Sequence, residues 1–491
     1  MSAYRNNLID IMGIKKNVLY SSILTVSSYF FPMLTYPYVS RVLGVTNIGI
    51  CNFIDSIVNY YILFSMMGIG TVAIREIAKD SIDREQLTRT FSSFFVLNTV
   101  STLVGLILLF ISIFSVSTLY EYKEMMYIGA FKLVFNYLLI EWLYKGLEDF
   151  KYITQRSIFV KCVYVLLVFL FVREKNDYEI YYIISVSIII INAIINLLYA
   201  RRHVGFTIRN LSIRPYLKSF FILGIYAFLT SMYTSFNVAY LGFVAGETEV
   251  GYYTTAVKLY TILLSLFTAF TGVMMPRMSA LVANHQRDEF KALMGKSVNV
   301  LLLFVMPLIV FSVIFAPQII RIIAGEGYEA AILPMRIVMP LMLVIGYEQI
   351  IIIQVLVPLK KDRAVLINSV LGASVGVIMN LLLVSVLKSV GSALVWLVSE
   401  LVVLCSGQYF LKKYMGVIFP FKLFALNILL TFPIGLLCCL LLYLPLSDFF
   451  LILAGGVLIG IYYITINILV IKNLFFITCI HQIKKKFCAL N

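Results

Sequence analysis

Tyr38-Val-Ser-Arg-Val-Leu-Gly44-Val-Thr-Asn-Ile-Gly49, followed by Gly70 and Arg75, returns 202 residues later as Tyr240-Leu-Gly-Phe-Val-Ala-Gly246-Glu-Thr-Glu-Val-Gly251, followed by Gly272 and Arg277. One shift keeps the tyrosine, three glycines and the final arginine in register. Self-similarity at a fixed offset marks an internal duplication. Both copies lie among long apolar runs, and duplicated sets of spans are the construction of transporters more than of enzymes.

Composition sets the solvent. Hydrophobic residues make up 61% of the 491 and charged residues only 13%, with a mean hydropathy of +0.97. Soluble domains carry roughly a quarter charged residues, so this chain is built for lipid. Its net charge of +15 lies between apolar runs and forms no contiguous face. That argues against nucleic acid and for topology signals beside an anionic leaflet. The seven cysteines are scattered and match no disulfide or zinc spacing. No cleavable signal precedes the first apolar run, which is expected to remain as a span. The final Cys488-Ala-Leu-Asn491 formally matches a prenylation box but reads as part of a basic tail.

At roughly 20 residues per crossing, apolar runs centre near residues 28, 60, 102, 134, 165, 189, 231, 263, 309, 344, 376, 400, 433 and 460. That predicts fourteen spans, several interrupted by Pro32, Pro37, Pro307, Pro340 and Pro433. Alternate connections, together with both termini, hold about 29 basic residues, against about six in the other set. The positive-inside rule therefore places both termini in the cytoplasm. Six spans separate the two copies, so they share one orientation. The expected fold is an all-α polytopic membrane protein with two parallel-repeat lobes of six helices around a central cavity. The divisions expected are 1–205 (spans 1–6), 206–411 (spans 7–12) and 412–491 (spans 13–14 with a basic tail).

No pattern for catalysis, metal or cofactor emerges. Gly44-x4-Gly49 has P-loop glycine spacing, but Ile50 and Cys51 stand where Lys and Ser/Thr would follow. A tight turn between two spans fits better. The informative residues are charges at membrane depth, each costing about 2.5–3.5 kcal/mol unless partnered or hydrated. Asp55, Lys132, Lys258, Glu348 and Glu400 qualify. Lys132 and Lys258 are read as cavity lining and so as substrate-binding. Asp55, Glu348 and Glu400 are candidates for ion coupling or gating, although Glu400 could simply pair with a neighbouring helix. Lys161 and Arg336, near span ends, can snorkel. The shift of 202 sets Asp55 beside Lys258. Either the two meet across the cleft as part of an outward gate, or each pairs within its own lobe. Arg75 and Arg277 satisfy the positive-inside rule and could also draw a phosphate-bearing headgroup to the inner mouth.

Taken together, Tyr38-Val-Ser-Arg-Val-Leu-Gly44…Gly49, Gly70…Arg75-Glu76, Glu141-Trp-Leu-Tyr-Lys-Gly-Leu-Glu-Asp-Phe-Lys-Tyr152 with Arg156, Glu249-Val-Gly-Tyr-Tyr253, Pro276-Arg277-Met-Ser-Ala280 and Gly325-Glu-Gly-Tyr328 resemble the polysaccharide-export flippases of the multidrug/oligosaccharidyl-lipid/polysaccharide exporter superfamily. The resemblance implies a fourteen-helix alternating-access fold in a bacterial cytoplasmic membrane. It implies as substrate an undecaprenyl-diphosphate oligosaccharide for O-antigen, capsule or exopolysaccharide, moved from the inner to the outer leaflet. It further implies a cationic cavity between the lobes and adds Arg41 to the substrate-binding candidates. Membrane lipids, H+ or Na+ as coupling ion, and a polysaccharide polymerase with a chain-length regulator are the partners expected. A cation-coupled drug exporter of the same superfamily is the main alternative, disfavoured by the deep lysines. A polymerase or glycosyltransferase would call for a sizeable outer loop, and the longest connections here are cytoplasmic.

Overall fold

The structure, a computed structural model, describes residues 2–81, 83–209 and 211–469. The basic tail, with His481, Lys484–Lys486 and Cys488, lies outside these residues. Every regular element among the described residues is helical. Twelve stretches are long and apolar enough to cross a bilayer, and two are double length: Leu19–Asp80 with 62 residues and Asp362–Met415 with 54. Each double stretch contains a residue with positive φ, Gly44 (φ 76, ψ 170) in one and Lys388 (φ 51, ψ −126) in the other. Such a residue cannot continue a right-handed helix, and at 62 and 54 residues each stretch has the length for two crossings, so the described residues make fourteen.

Spans 1 and 2 share Ser2–Met66, with span 2 prolonged by Ile69–Asp80. Span 3 is Arg84–Ser115, span 4 is Lys123–Tyr137 with Glu141–Gly146, span 5 is Phe150–Phe171 and span 6 is Tyr178–Ala200. Span 7 is Arg214–Thr234 with Phe236–Ala245, span 8 is Glu247–Ala283 and span 9 is Arg287–Ile314. Span 10 runs through Ile332–Val338, Leu341–Gln349 and a π-helical Ile350–Leu356. Span 11 is Asp362–Met379 with a second π-helical turn, Asn380–Val384. Span 12 is the part of Ser385–Met415 after Lys388, span 13 is Phe421–Leu441 and span 14 is Asp448–Leu469.

Of the prolines expected to interrupt spans, Pro340 alone stands at a helix boundary; Pro32, Pro37, Pro307 and Pro433 lie inside continuous helices. One missing N–H removes a single backbone bond, and no solvent in the bilayer competes for the rest. Backbone conformation at Gly44 and Lys388 is what ends a crossing. Lys388 accepts a strained conformation worth about 1–3 kcal/mol, and Glu249 supports it, pairing with its ammonium at 3.7 Å and accepting from Ser389 N at 3.3 Å.

Span 3 displays the inverted amphipathicity of a lipid-facing helix. Leu103, Ile107, Ile111 and Phe114 are exposed at helical spacing, while Leu109 and Ile113 are fully buried. Lipid gives apolar side chains no reason to prefer protein, so close packing has to hold the helices together. The repeat supplies that packing. Gly246 (φ 87, ψ 172) repeats the backbone conformation of Gly44, a region open to glycine.

Just beyond these turns the two copies touch. Thr46 and Thr248 share a hydrogen bond of 2.9 Å, and Asn52 Nδ2 donates to Thr254 Oγ1 at 3.1 Å. Contact between residues 202 apart, at two levels, sets spans 2 and 8 astride a pseudo-twofold axis. A Cβ on Gly49 would lie 1.8 Å from the Glu247 carbonyl oxygen, and one on Gly251 would lie 2.2 Å from that of Val45. At the far end of the same helices the next repeated glycines, Gly70 and Gly272, are exposed, with nothing within 4 Å of a Cβ. Spans 2 and 8 are locked together at the Gly44/Gly246 end and part at the Gly70/Gly272 end, where span 7 still joins the halves: a Cβ on Gly68 would lie 2.7 Å from the Phe220 carbonyl oxygen.

Candidate functional site

Between the locked and parted ends lie two cavities. The first, about 440 Å³, is lined by Asn52, Asp55, Ser56, Asn59, Tyr60 and Leu63 of span 2, by Ser231, Ser235 and Val238 around span 7, and by Thr254 of span 8. The second, about 350 Å³, is lined by Ser28, Tyr29 and Pro32 of span 1, by Asn52, Val238 and Trp396, and by Tyr253, Thr254, Val257, Lys258, Thr261 and Ile262 of span 8. Both volumes suit a small ligand group. Asn52, Val238 and Thr254 belong to both linings, so the Asn52–Thr254 bond on the axis stands as a partition.

The charged groups are treated differently on the two sides. Asp55 is closed off within its own half: Lys132 of span 4 donates to it and also to Asn59 Oδ1 at 2.9 Å, while Asn59 Nδ2 donates to Asp55 at 3.0 Å. Lys258 joins no ion pair among the described residues; its ammonium stands 4.8 Å over the ring of Tyr36. That ring is fixed by a 2.6 Å hydrogen bond between its hydroxyl and Thr255 Oγ1. A ring face attracts a cation without forming an ion pair with it, so the Lys258 ammonium is left open to an anionic partner. Lys161 binds Ser27 and Ser28 Oγ at 3.1 and 2.9 Å behind the same wall.

The expected Asp55–Lys258 gate is therefore not an ion pair in this structure. Asp55 is satisfied by Lys132, and Lys258 reaches span 1 instead. Arg41 likewise stands away from both linings. It donates to the carbonyls of Pro37 (2.7 Å), Arg321 (3.3 Å) and Ile322 (2.5 Å), the last two at the C-terminus of a short helix, Ala316–Ile323, where a cation meets unsatisfied carbonyls and the negative end of the dipole. Ser40 donates to Ile323 O, and Tyr328 OH donates to Ser40 O, both at 3.1 Å. Arg41 is thus a latch between the halves at their locked end. Nearby, Arg321 is held by Asp448 through bonds of 2.7 and 2.8 Å, which push its guanidinium pKa up.

Arg75 and Arg277 flank the parted end. Both are exposed and line neither cavity; Arg75 pairs with Glu76 at 2.8 Å. Glu348 and Glu400, 8% and 3% exposed, come together from spans 10 and 12 as a buried acid pair. Trp396 Nε1 donates to Glu400 at 3.0 Å, and the same indole lines the Lys258 cavity. Glu348 Oε2 has no hydrogen-bond partner among the described residues, and the π-helical turn begins two residues later, a backbone irregularity frequent at functional sites.

Sequence reasoning missed the uncharged groups Asn52, Asn59, Ser231, Ser235, Thr254 and Trp396. Asn52 and Thr254 carried one readable signal, since the repeat shift superposes them. Reasoning also missed the internal clamp of the first half, where Arg156 binds Glu141 at 2.6 Å and also donates to Asn196, far from either cavity.

Comparison with known proteins agrees with this architecture. Residues 14–282 match the family described as polysaccharide biosynthesis protein. A protein of Escherichia coli (strain K12), by its name a candidate O-antigen transporter, is 28% identical over 401 residues, covering 80% of this chain and 95% of that one. A Shigella dysenteriae protein of the same name is 25% identical over 308 residues, covering 60% and 76%. Among solved structures, the lipid II flippase MurJ in an inward closed conformation superposes with a TM-score of 0.74 at 14% identity, over 92% of this chain and 99% of that one. An inward-facing multidrug transporter of the MATE family gives 0.62 at 13% identity, over 79% and 94%.

Proposed function

Because this chain belongs to the polysaccharide biosynthesis protein family, we propose that it is a flippase, carrying an oligosaccharide on undecaprenyl diphosphate from the inner to the outer leaflet of a bacterial cytoplasmic membrane. The observation that carries the reading is Lys258, a cation without a carboxylate partner among the described residues, beside a cleft between spans 2 and 8, which are locked together at one end and part at the other. The charge alternation of the loops supports placing both termini in the cytoplasm, which makes the parted end the inner mouth. Arg75 and Arg277 then stand where an anionic headgroup enters. The lobes 1–205 and 206–411 rock about the Gly49/Gly251 contact. Opening outward requires release of the Arg41 latch.

The energetics favour such a device. Each glycan hydroxyl costs about 2–7 kcal/mol if buried unpaired, so unaided crossing is prohibitive. Outward movement of each negative charge gains about 2.3 kcal/mol per 100 mV of inside-negative potential. Coupling to an ion falls to the Glu348–Glu400 pair, whose link through Trp396 to the Lys258 cavity connects ion occupancy with substrate occupancy. A drug exporter for organic cations fits less well, because the one carboxylate lining either cavity, Asp55, is already neutralised by Lys132.

The test is depletion in the native bacterium. Lipid-linked glycan should accumulate on the cytoplasmic side while surface polysaccharide falls. Unchanged polysaccharide, with drug sensitivity rising instead, would transfer the protein to the exporter reading.

A further inference from the structure

The two cavities differ in the chemistry they can satisfy. Around Lys258 one uncompensated cation faces the space, beside the hydroxyls of Ser28 and Thr261. Across the Asn52–Thr254 partition the wall is built from amides and hydroxyls, and its one acid is tied to Lys132 in a ring completed by Asn59. That second wall carries many hydrogen-bonding groups, and its one charge is neutralised by Lys132. Such a wall is a poor host for a diphosphate, which would meet the Asp55 carboxylate, and for an organic cation, because that carboxylate is already paired with Lys132. It suits a neutral polyol, whose hydroxyls each require a donor and an acceptor.

We propose that the Asn59 cavity is a saccharide-reading subsite, separate from the anion subsite at Lys258, and that it takes the neutral hexose or acetamido sugar attached to the diphosphate. The inference rests on the flippase reading and adds where each part of the headgroup sits. Asn59 is the principal reader. Its amide is exposed to the cavity, and its orientation is fixed by two charged neighbours, Lys132 on the oxygen and Asp55 on the nitrogen. Each amide atom retains one further hydrogen-bonding position, so the group presents one acceptor and one donor side by side. Polarisation by the ion pair strengthens both. Asp55 and Lys132 are positioning residues that hold the reader. The partition lies on the pseudo-twofold axis, so a headgroup that straddles it touches both halves at once, diphosphate against span 8 and sugar against span 2. Rocking of the lobes then acts on the headgroup as a unit.

The experiment measures binding of two lipids to the purified full-length protein in detergent: a polyprenyl diphosphate bearing a neutral disaccharide, and the same polyprenyl diphosphate without sugar. Wild type should prefer the glycosylated lipid. Asn59→Ala should lower that preference about tenfold, the worth of one well-made hydrogen bond. Lys258→Gln should weaken both lipids in parallel and keep the preference. Ser235→Ala, at the exposed rim of the same cavity, gives a second variant that leaves the buried ion pair intact, and it should reduce the preference in the same direction. The inference is overturned if Asn59→Ala and Ser235→Ala weaken both lipids equally, or if neither changes the preference while Lys258→Gln lowers affinity. Wild-type protein that binds neither lipid would overturn the flippase reading itself, and this inference with it.

Discussion

Spans 2 and 8 began as copies and have kept one half of their length alike. At the locked end they share a glycine turn, a glycine packed on the opposing backbone, and two hydrogen bonds between residues 202 apart. A few residues further along they part: Asp55 is neutralised within its own half, and Lys258, one register position off, is left without a carboxylate. The difference separates two tasks. Symmetry makes a contact about which the halves can rock, while departure from symmetry supplies one charge and one neutral polar wall. The first half holds Asp55–Lys132–Asn59 and Glu141–Arg156–Asn196 in closed networks and ties Lys161 to the hydroxyls of Ser27 and Ser28. The second keeps an unpaired cation, an acid pair with an orphaned oxygen and two π-helical turns, the features expected of the half that responds to ligands.

The strongest way to break this comparison is to fill the glycines. Gly49→Ala or Gly251→Ala puts a methyl within 1.8 or 2.2 Å of a carbonyl oxygen, an overlap that backbone must move to relieve. Either should abolish the locked state, read as lost cross-linking between cysteines placed at Thr46 and Thr248, and reduce transport by about tenfold or more. Gly70→Ala and Gly272→Ala, in open space, should leave that cross-link intact. Should the lobes also close at this second end, Leu at either position would trap the locked state and stop transport.

A smaller effect sharpens the contrast between closed and open networks. Glu141→Gln removes one partner of Arg156, whose side chain is 4% exposed, while the Glu141 side chain is 33% exposed. The cost should fall near the low end for such pairs, about 3 kcal/mol, seen as a lowered thermal unfolding temperature without any change in lipid preference. Smallest is the axis itself. Thr46→Ala and Thr248→Ala should each cost about 1 kcal/mol, and a double-mutant cycle should show them coupled because they bond each other.

Much of this architecture was readable from sequence. Hydropathy and loop charge set the number of crossings, and one offset exposed the duplicated lobes. Depth singled out Asp55, Lys132, Lys258, Glu348 and Glu400, yet depth does not state partners. Whether Asp55 meets Lys258 or Lys132 depends on the rotation of each helix about its own axis, which packing decides. Arg41 was misplaced for a related reason: its acceptors are backbone carbonyls at a helix end some 280 positions away, and carbonyls leave no mark in a sequence. Asn59 and Trp396 escaped notice because uncharged polar side chains are unremarkable in a span until a cavity is seen beside them. Prolines overstated the breaks, and Lys388 gave no warning that a lysine would adopt positive φ.

The central claim is that Lys258 is the anion-holding charge of the cleft. Its most direct test is flipping of a polyprenyl-diphosphate disaccharide in proteoliposomes containing wild type, Lys258→Gln or Lys258→Arg. A charge-assisted hydrogen bond is worth about 1.5–3 kcal/mol, so the glutamine variant should flip at least about tenfold more slowly, while arginine should retain most of the rate. A glutamine variant that flips as fast as wild type would contradict the account.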